Sequence, residues 1–242
     1  MKKLLEYVAR RDRSELTLLI GGLLLAILAL GTFQLAGKVV EGDTQAFDER
    51  VLRALRDPAD PSVPIGPRWL RVAALDITSL GSPTVIGLSV AAIVGFLLLQ
   101  GMYRTALFVF IASGGGWLLN NALKAVFARP RPAIVPHLHE VMSPSFPSGH
   151  AMTSAAVYLT LGALLMHISK GRLTKIYCMT IAMLATLLIG STRVYLGVHY
   201  PTDVLAGWCV GLAWAELCWL VHSQLMERWE TNTPHRPQTN HP

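Results

Sequence analysis

Charge and cysteine are both scarce in this chain of 242 residues: charged residues make up 15% and there are 3 cysteines. An odd, small set of thiols (Cys178, Cys209 and Cys218), each inside an apolar run, argues against a disulfide framework and carries no information about compartment. The formal charge of +6 does not point to nucleic acid, because the lysines and arginines sit at the ends of apolar runs and not along one face. Internal repeats are absent, and no polar stretch is long enough for a separate soluble domain. What is abundant is oil. Hydrophobic residues reach 52%, and the mean hydropathy of +0.44 is that of an integral membrane protein.

A helix needs roughly 20 mostly apolar residues to cross the hydrocarbon core. Six runs meet that need, at 17–37, 82–100, 103–125, 149–168, 174–194 and 202–224. The first follows Lys2, Lys3, Arg10, Arg11 and Arg13, but it is too long for a signal-peptide core and is expected to be retained as a span. The fold class predicted is therefore all-α: a polytopic bundle of six membrane helices forming one membrane-embedded domain over 1–225. A polar tail, expected to be disordered, covers 226–242. Within the long connection 38–81, Phe47, Val51, Leu52 and Leu55 fall on one helical stripe, with Asp48, Glu49, Arg50 and Arg53 away from it. That pattern predicts an amphipathic helix at the membrane surface between spans one and two, stopped by Asp57-Pro58, with a Pro-rich turn after it. The basic N-terminus and the basic 169–175 loop favour cytoplasmic termini.

Three polar islands interrupt the apolar pattern. The third span ends in "KAVFARPRP", where Lys124 precedes Arg131 by roughly two helical turns, near enough for both to hold one anion. The second is "PSGH" at 147–150, leading straight into the fourth span. A helix N-terminus exposes unpaired N–H groups, Ser148 can cap it or donate its hydroxyl, and Gly149 allows close backbone approach, with His150 in the first turn. The third is "TRVYLGVHYPTD" at 192–203, in which Asp203, in the first turn of the sixth span, can accept from the ring of His199 while Arg193 ends the fifth span. Each has an ordinary reading alone: snorkelling cations, a capped helix start beside an incidental histidine, and an acid complementing a helix dipole. Alternation of span direction nevertheless brings all three islands to one membrane surface, and their combined chemistry is that of a phosphate site.

In order and in internal spacing the islands resemble the signature of the type 2 phosphatidic acid phosphatase superfamily, which also includes vanadium haloperoxidases and glucose-6-phosphatase. One departure is Thr192, where the family usually has serine. The resemblance implies that His199, oriented by Asp203, attacks phosphorus to form a phosphohistidine, and that His150 protonates the leaving group. It further implies that Lys124, Arg131, Arg193, Ser148 and Gly149 hold the phosphoryl oxygens. Fixed cations and N–H groups then do the work of a metal, so no metal and no cofactor are expected. His137, His139 and Glu140 form an H-x-H-E cluster without a clear further ligand and are read as loop or headgroup contacts. Asn120 and Asn121 are candidates to support the site, and Glu216, an acid inside span six, is expected to pair within the bundle.

The function expected is hydrolysis of a phosphorylated lipid at the outer face of a bacterial plasma membrane. Undecaprenyl pyrophosphate is the first candidate, followed by phosphatidic acid and phosphatidylglycerophosphate. The partners implied are that lipid and the bilayer, with no nucleic acid. Two other readings use the same residues: a lipid phosphotransferase, and a non-catalytic protein that binds anionic lipid.

Overall fold

The computed structural model describes residues 2–138 and 143–232, with side chains described over 15–138 and 143–225. Eight helices account for nearly all of it: α1 (Lys2–Glu41), α2 (Gln45–Ala54), α3 (Arg68–Ser79), α4 (Pro83–Leu99), α5 (Tyr103–Phe127), α6 (Gly149–Ile168), α7 (Arg172–Tyr195) and α8 (Pro201–Asn232). Five are long and apolar enough to cross a membrane, in α1, α5, α6, α7 and α8. Counted together, the bent pair α3 and α4, which meet at 46°, also passes that test and would make a sixth. With 17 residues, α4 alone extends about 26 Å at 1.5 Å per residue, short of the hydrocarbon thickness of roughly 30 Å.

Helix α6 is the hub, packed between α7 and α8. Its close approach to α8 follows from small residues, since a β-carbon on Gly207 would lie 2.8 Å from the Ser148 carbonyl oxygen and 3.0 Å from the Ala151 methyl. One turn on, Gly211 lies tighter still against the Met152 carbonyl and Ala155. Opposite, Gly162 leaves room for Ala182 of α7, where a β-carbon would come within 2.8 Å. By contrast α1 packs on α8 along one side and presents Leu19, Leu23, Ile27, Leu30 and Phe33 outward, the surface a helix shows to lipid.

Three stretches differ from the sequence reading. The surface helix is present as α2, but its buried face carries Asp48 and Leu52, while Phe47 is 56% exposed. Asp48 turns inward because it has a buried cation to meet, described below. The connection after it is not all turn. After a tight loop in which Asp57 N–H bonds the Val63 carbonyl at 2.8 Å and Ile65 N–H the Leu55 carbonyl at 3.1 Å, α3 begins at Arg68. At the other end α8 runs to Asn232, beyond position 226 where a tail was expected, and 233–242 lies outside the described residues.

Candidate active site

The ends of the helices decide what reaches the site. Helix α5 stops at Ala128, whose left-handed φ of 44° accompanies an N–H bond back to the Lys124 carbonyl at 3.0 Å. The prolines at 130 and 132 then keep the chain extended. From that exit Arg129 reaches Asp48 and Asp203, while Arg131 reaches His199 and the Ser143 carbonyl. Helix α6 starts at Gly149, its first turn anchored to α8 by the Ser148 N–H, which donates to the Asp203 carbonyl at 2.9 Å. Helix α7 delivers Arg193 in its last turn, and the short 196–200 link carries His199 to within one turn of Asp203.

A cavity of about 310 Å³ lies where these ends meet, lined by Lys124, Arg131, Gly149, His150, Arg193 and His199. Six of the eight residues singled out in the sequence thus share one space, and the other two stand just behind it. Ser148 and Asp203 are both fully buried. Asn120 and Asn121 also line the cavity; the Asn120 amide donates to the Met152 sulfur at 3.4 Å.

His199 is the most constrained of the group. Its Nε2 lies 3.1 Å from Arg131 Nη1 and its Nδ1 3.4 Å from Asp203 Oδ2. A guanidinium only donates, so Nε2 accepts and carries a lone pair, leaving the proton on Nδ1 to face the carboxylate. Burial, reinforced by the charges of Arg131, Arg193 and Lys124, holds the imidazole pKa well below its ordinary 6.5. The ring is therefore neutral, with Nε2 toward the cavity.

Arg193 is fully buried, and only Nη1 is engaged, donating to Thr78 Oγ1 of α3 at 2.9 Å. Its Nε and Nη2 have no acceptor among the described residues. An uncompensated buried guanidinium costs several kcal/mol, and an anion in the cavity would offset that cost. Ser148 Oγ is likewise buried without a partner and does not cap α6. Lys124 donates to the Pro144 carbonyl. Arg131 donates through Nε to the Ser143 carbonyl at 2.7 Å and through Nη1 to the Val198 carbonyl at 2.6 Å. Burial lowers the Arg131 pKa and Asp203 works against that shift. The elbow between α3 and α4 closes one wall: Gly81 packs on Ile189 and on His150, whose Cδ2 would be 3.2 Å from any β-carbon there.

Three contributors escaped the sequence reading. Thr78 sits on the unforeseen α3, whose Leu70, Ala74 and Ile77 do carry a helical period. Arg129 lies within "KAVFARPRP" but is given no role by the sequence, yet it bridges two buried acids, Asp203 at 2.6 Å and Asp48 at 2.9 Å. Asp48 was placed on the outer face of α2. Other expectations resolve simply. Thr192 bonds back to the Ile189 carbonyl at 2.6 Å, a contact serine would also make. His137 Nε2 meets the Pro132 carbonyl at 2.6 Å, while His139 and Glu140 lie outside the described residues. Glu216 lies away from the site, against Gly21 of α1. It lines an apolar cavity of about 320 Å³ between α6, α7 and α8.

Comparison with known proteins agrees with this layout. The PAP2 superfamily model matches residues 103–227, which contain all three islands. Phosphatidylglycerophosphatase B of Bacillus subtilis is 36% identical over 184 residues, 74% of this chain and 84% of that protein. An undecaprenyl-diphosphatase of Sulfolobus acidocaldarius is 29% identical over 99 residues, 39% of this chain and 44% of that one. The crystal structure of the transmembrane PAP2-type phosphatidylglycerolphosphate phosphatase from Bacillus subtilis superposes with a TM-score of 0.72 at 30% identity, covering 88% of this chain and 98% of the other. With the superfamily model spanning more than half of its length and a relative aligned over most of both sequences, this chain, an all-helical multi-pass membrane protein, belongs to the PAP2 superfamily.

Proposed function

We propose that the protein is a lipid phosphatase that hydrolyses a phosphomonoester or pyrophosphate lipid through a phosphohistidine on His199. The observation that carries this reading is the Arg193 guanidinium, buried with two N–H-bearing nitrogens uncommitted, beside a neutral histidine whose Nε2 lone pair faces the same cavity. Nε2 attacks phosphorus as the bond to the leaving oxygen breaks, and His150 gives that oxygen its proton. Asp203 stabilises the imidazolium that develops on His199. Water, deprotonated by His150, then cleaves the phosphorus–nitrogen bond and releases inorganic phosphate. Lys124, Arg131 and Arg193, with Ser148 Oγ–H and the Gly149 N–H, hold the charge that builds on the equatorial oxygens. On binding, phosphoryl oxygens replace the Ser143 and Pro144 carbonyls as acceptors for Arg131 and Lys124.

A lipid substrate fits the surroundings. Pro83, Trp117 and Thr153 are shared between the site cavity and an apolar groove of about 570 Å³ lined by α4 and α5. A phosphate headgroup in one and a hydrocarbon chain in the other is the occupancy that this pairing favours. Phosphatidylglycerophosphate, phosphatidic acid and undecaprenyl pyrophosphate are the substrates we put forward, the first and last being those that the relatives' names carry. We read residues 1–225 as one membrane-embedded unit in a bacterial plasma membrane, with both termini in the cytoplasm and the site facing outward.

The decisive experiment is phosphate release by purified protein in detergent with EDTA, across those three lipids, with His199→Ala as control. Turnover that survives chelation and vanishes in the variant is expected. Activity that chelator abolishes, or that persists without His199, overturns the reading. Product analysis with radiolabelled phosphate separates hydrolysis from transfer to a second lipid, and binding without turnover would instead leave an anionic-lipid-binding protein.

A further inference from the structure

Behind His199 the charges continue for three more residues, Asp203, Arg129 and Asp48. Asp203 uses Oδ2 for the His199 Nδ1 at 3.4 Å and the Tyr200 N–H at 2.9 Å, while Oδ1 accepts from Arg129 Nη1 at 2.6 Å. The other arm of Arg129 donates to Asp48 Oδ2 at 2.9 Å. Asp48 is in turn locked to the start of α8, accepting from the Thr202 N–H at 3.1 Å and the Thr202 hydroxyl at 2.6 Å. The Thr202 hydroxyl also accepts from Arg129 Nη1 at 3.0 Å, and the Tyr200 ring lies 4.2 Å beneath the guanidinium. Both acids have no side-chain exposure and Arg129 has 10%.

We propose that Arg129 and Asp48 are positioning residues that set the orientation and the effective charge of Asp203, and through it the readiness of His199. This rests on the reading of His199 as nucleophile. A carboxylate carrying its full charge against the Nδ1–H would hold the imidazole as a cation at rest and leave Nε2 without its lone pair. Arg129 draws part of that charge away and fixes the Asp203 rotamer by taking Oδ1. Asp48 limits how much is drawn, because it shares the same guanidinium. The result is an alternating series of acid, base, acid and imidazole, reaching from α2 at the membrane surface to the reacting nitrogen. Burial works against the charge on Arg129, and the two acids more than offset it, so that its pKa is raised.

Every other group facing the imidazole stays fixed in the test: Lys124 and Arg131 on the α5 side, Arg193 from α7, and His150 across the cavity from α6. The signs for the two residues are opposite. Losing the Arg129 cation removes the positive charge that offsets the Asp203 carboxylate at the imidazole, raises the His199 pKa and moves the acidic limb of kcat/KM to higher pH. Losing the Asp48 charge leaves the full Arg129 cation acting on Asp203, lowers the His199 pKa and moves the limb to lower pH. Shifts of about half a pH unit or more are expected from charges at this range. The substrate's own ionisation is common to all variants and cancels in the comparison.

The experiment is a pH profile of phosphate release from phosphatidic acid in detergent micelles, for the wild type, Arg129→Gln, Arg129→Lys, Asp48→Asn and His199→Ala, with Tm recorded for each. Arg129→Gln is expected to lower kcat about 10- to 100-fold with KM nearly unchanged, as for a misplaced but intact catalytic group. Its limb is expected to move up in pH, with Arg129→Lys recovering most of both effects and Asp48→Asn moving the limb down. If Arg129→Gln does not fold, Arg129→Lys and Asp48→Asn carry the test. Limbs that do not move, or that move in the same direction for the Arg129 and Asp48 variants, overturn the proposal while leaving the phosphohistidine reading intact. Activity in His199→Ala overturns both.

Discussion

Arg193 enters the site with no exposed surface and with one of its nitrogens spent on Thr78. Its geometry is what the site needs, because a lysine cannot hold Thr78 and still present two further N–H groups in one plane. Arg193→Ala is expected to lower initial rates of phosphate release about 10²- to 10³-fold, the scale of losing a preorganised donor. Arg193→Lys is expected to recover little, and a near-wild-type rate in either variant would remove Arg193 from the site. His199 makes a second prediction, in stability. Its folded pKa lies below the ordinary 6.5 because of burial and then the neighbouring cations. Below about pH 6.5 the unfolded chain therefore holds a proton that the folded chain lacks. Stability is present above that pH and lost as pH falls toward the folded value. The Tm in detergent should drop between pH 7 and pH 5, and drop less in His199→Gln; equal drops would place the depressed pKa elsewhere.

Helix ends and helix contacts differ in how far sequence reveals them. Helices α5 to α8 were legible because each couples a long apolar run to a polar motif at one end, and the motif spacing fixes which residues meet. Helix α3 was not, because its length falls short of a span and Arg68 and Arg71 break its apolar count. The face of α2 was ambiguous in kind. Phe47, Val51, Leu52 and Leu55 form the apolar stripe, yet the fold buries Leu52 together with the neighbouring Asp48, and only the partner Arg129, 81 positions on, decides which edge turns inward. Sequence periodicity carries no record of a charge pair that distant. At this scale the α6–α8 contact is the one to test. A leucine at Gly207 would have to enter space held by Ser148 and Ala151, so Gly207→Leu should destabilise by about 1–3 kcal/mol or more through overpacking. The measurement is Tm together with turnover. Unchanged Tm and activity would mean that the α6 N-terminus tolerates displacement from α8.

The whole bundle has two unlike ends. One gathers Lys124, Arg129, Arg131, Arg193, both site histidines and two buried acids, whereas the other is joined by the short 169–171 connection. If the site end faces outward, Asp60→Cys on its exposed loop should label with a membrane-impermeant maleimide in intact cells. Lys170→Cys at the far end should label only after permeabilisation. The reverse pattern would invert the orientation. How much of this was foreseeable from the chain divides along the same axis. Which residues share the site was written in three short motifs, but what stands behind them was contributed by α2 and α3, whose polar residues look like ordinary surface until the fold buries them.

The grip of Arg131 and Lys124 on the Ser143 and Pro144 carbonyls has a kinetic meaning. In the resting form Arg131 and Lys124 are already engaged by backbone carbonyls while Arg193 is not, so an arriving anion meets one open cation and must displace two internal ligands. A phosphate bearing a lipid chain brings hydrocarbon that the adjoining groove can take up, and that gain offsets the exchange. Inorganic phosphate, once cut free, brings nothing but its charge. On the hydrolysis proposed above, the returning carbonyls would drive product release, through the same segment, Ser143 to Ser148, that leads into the α6 N-terminus.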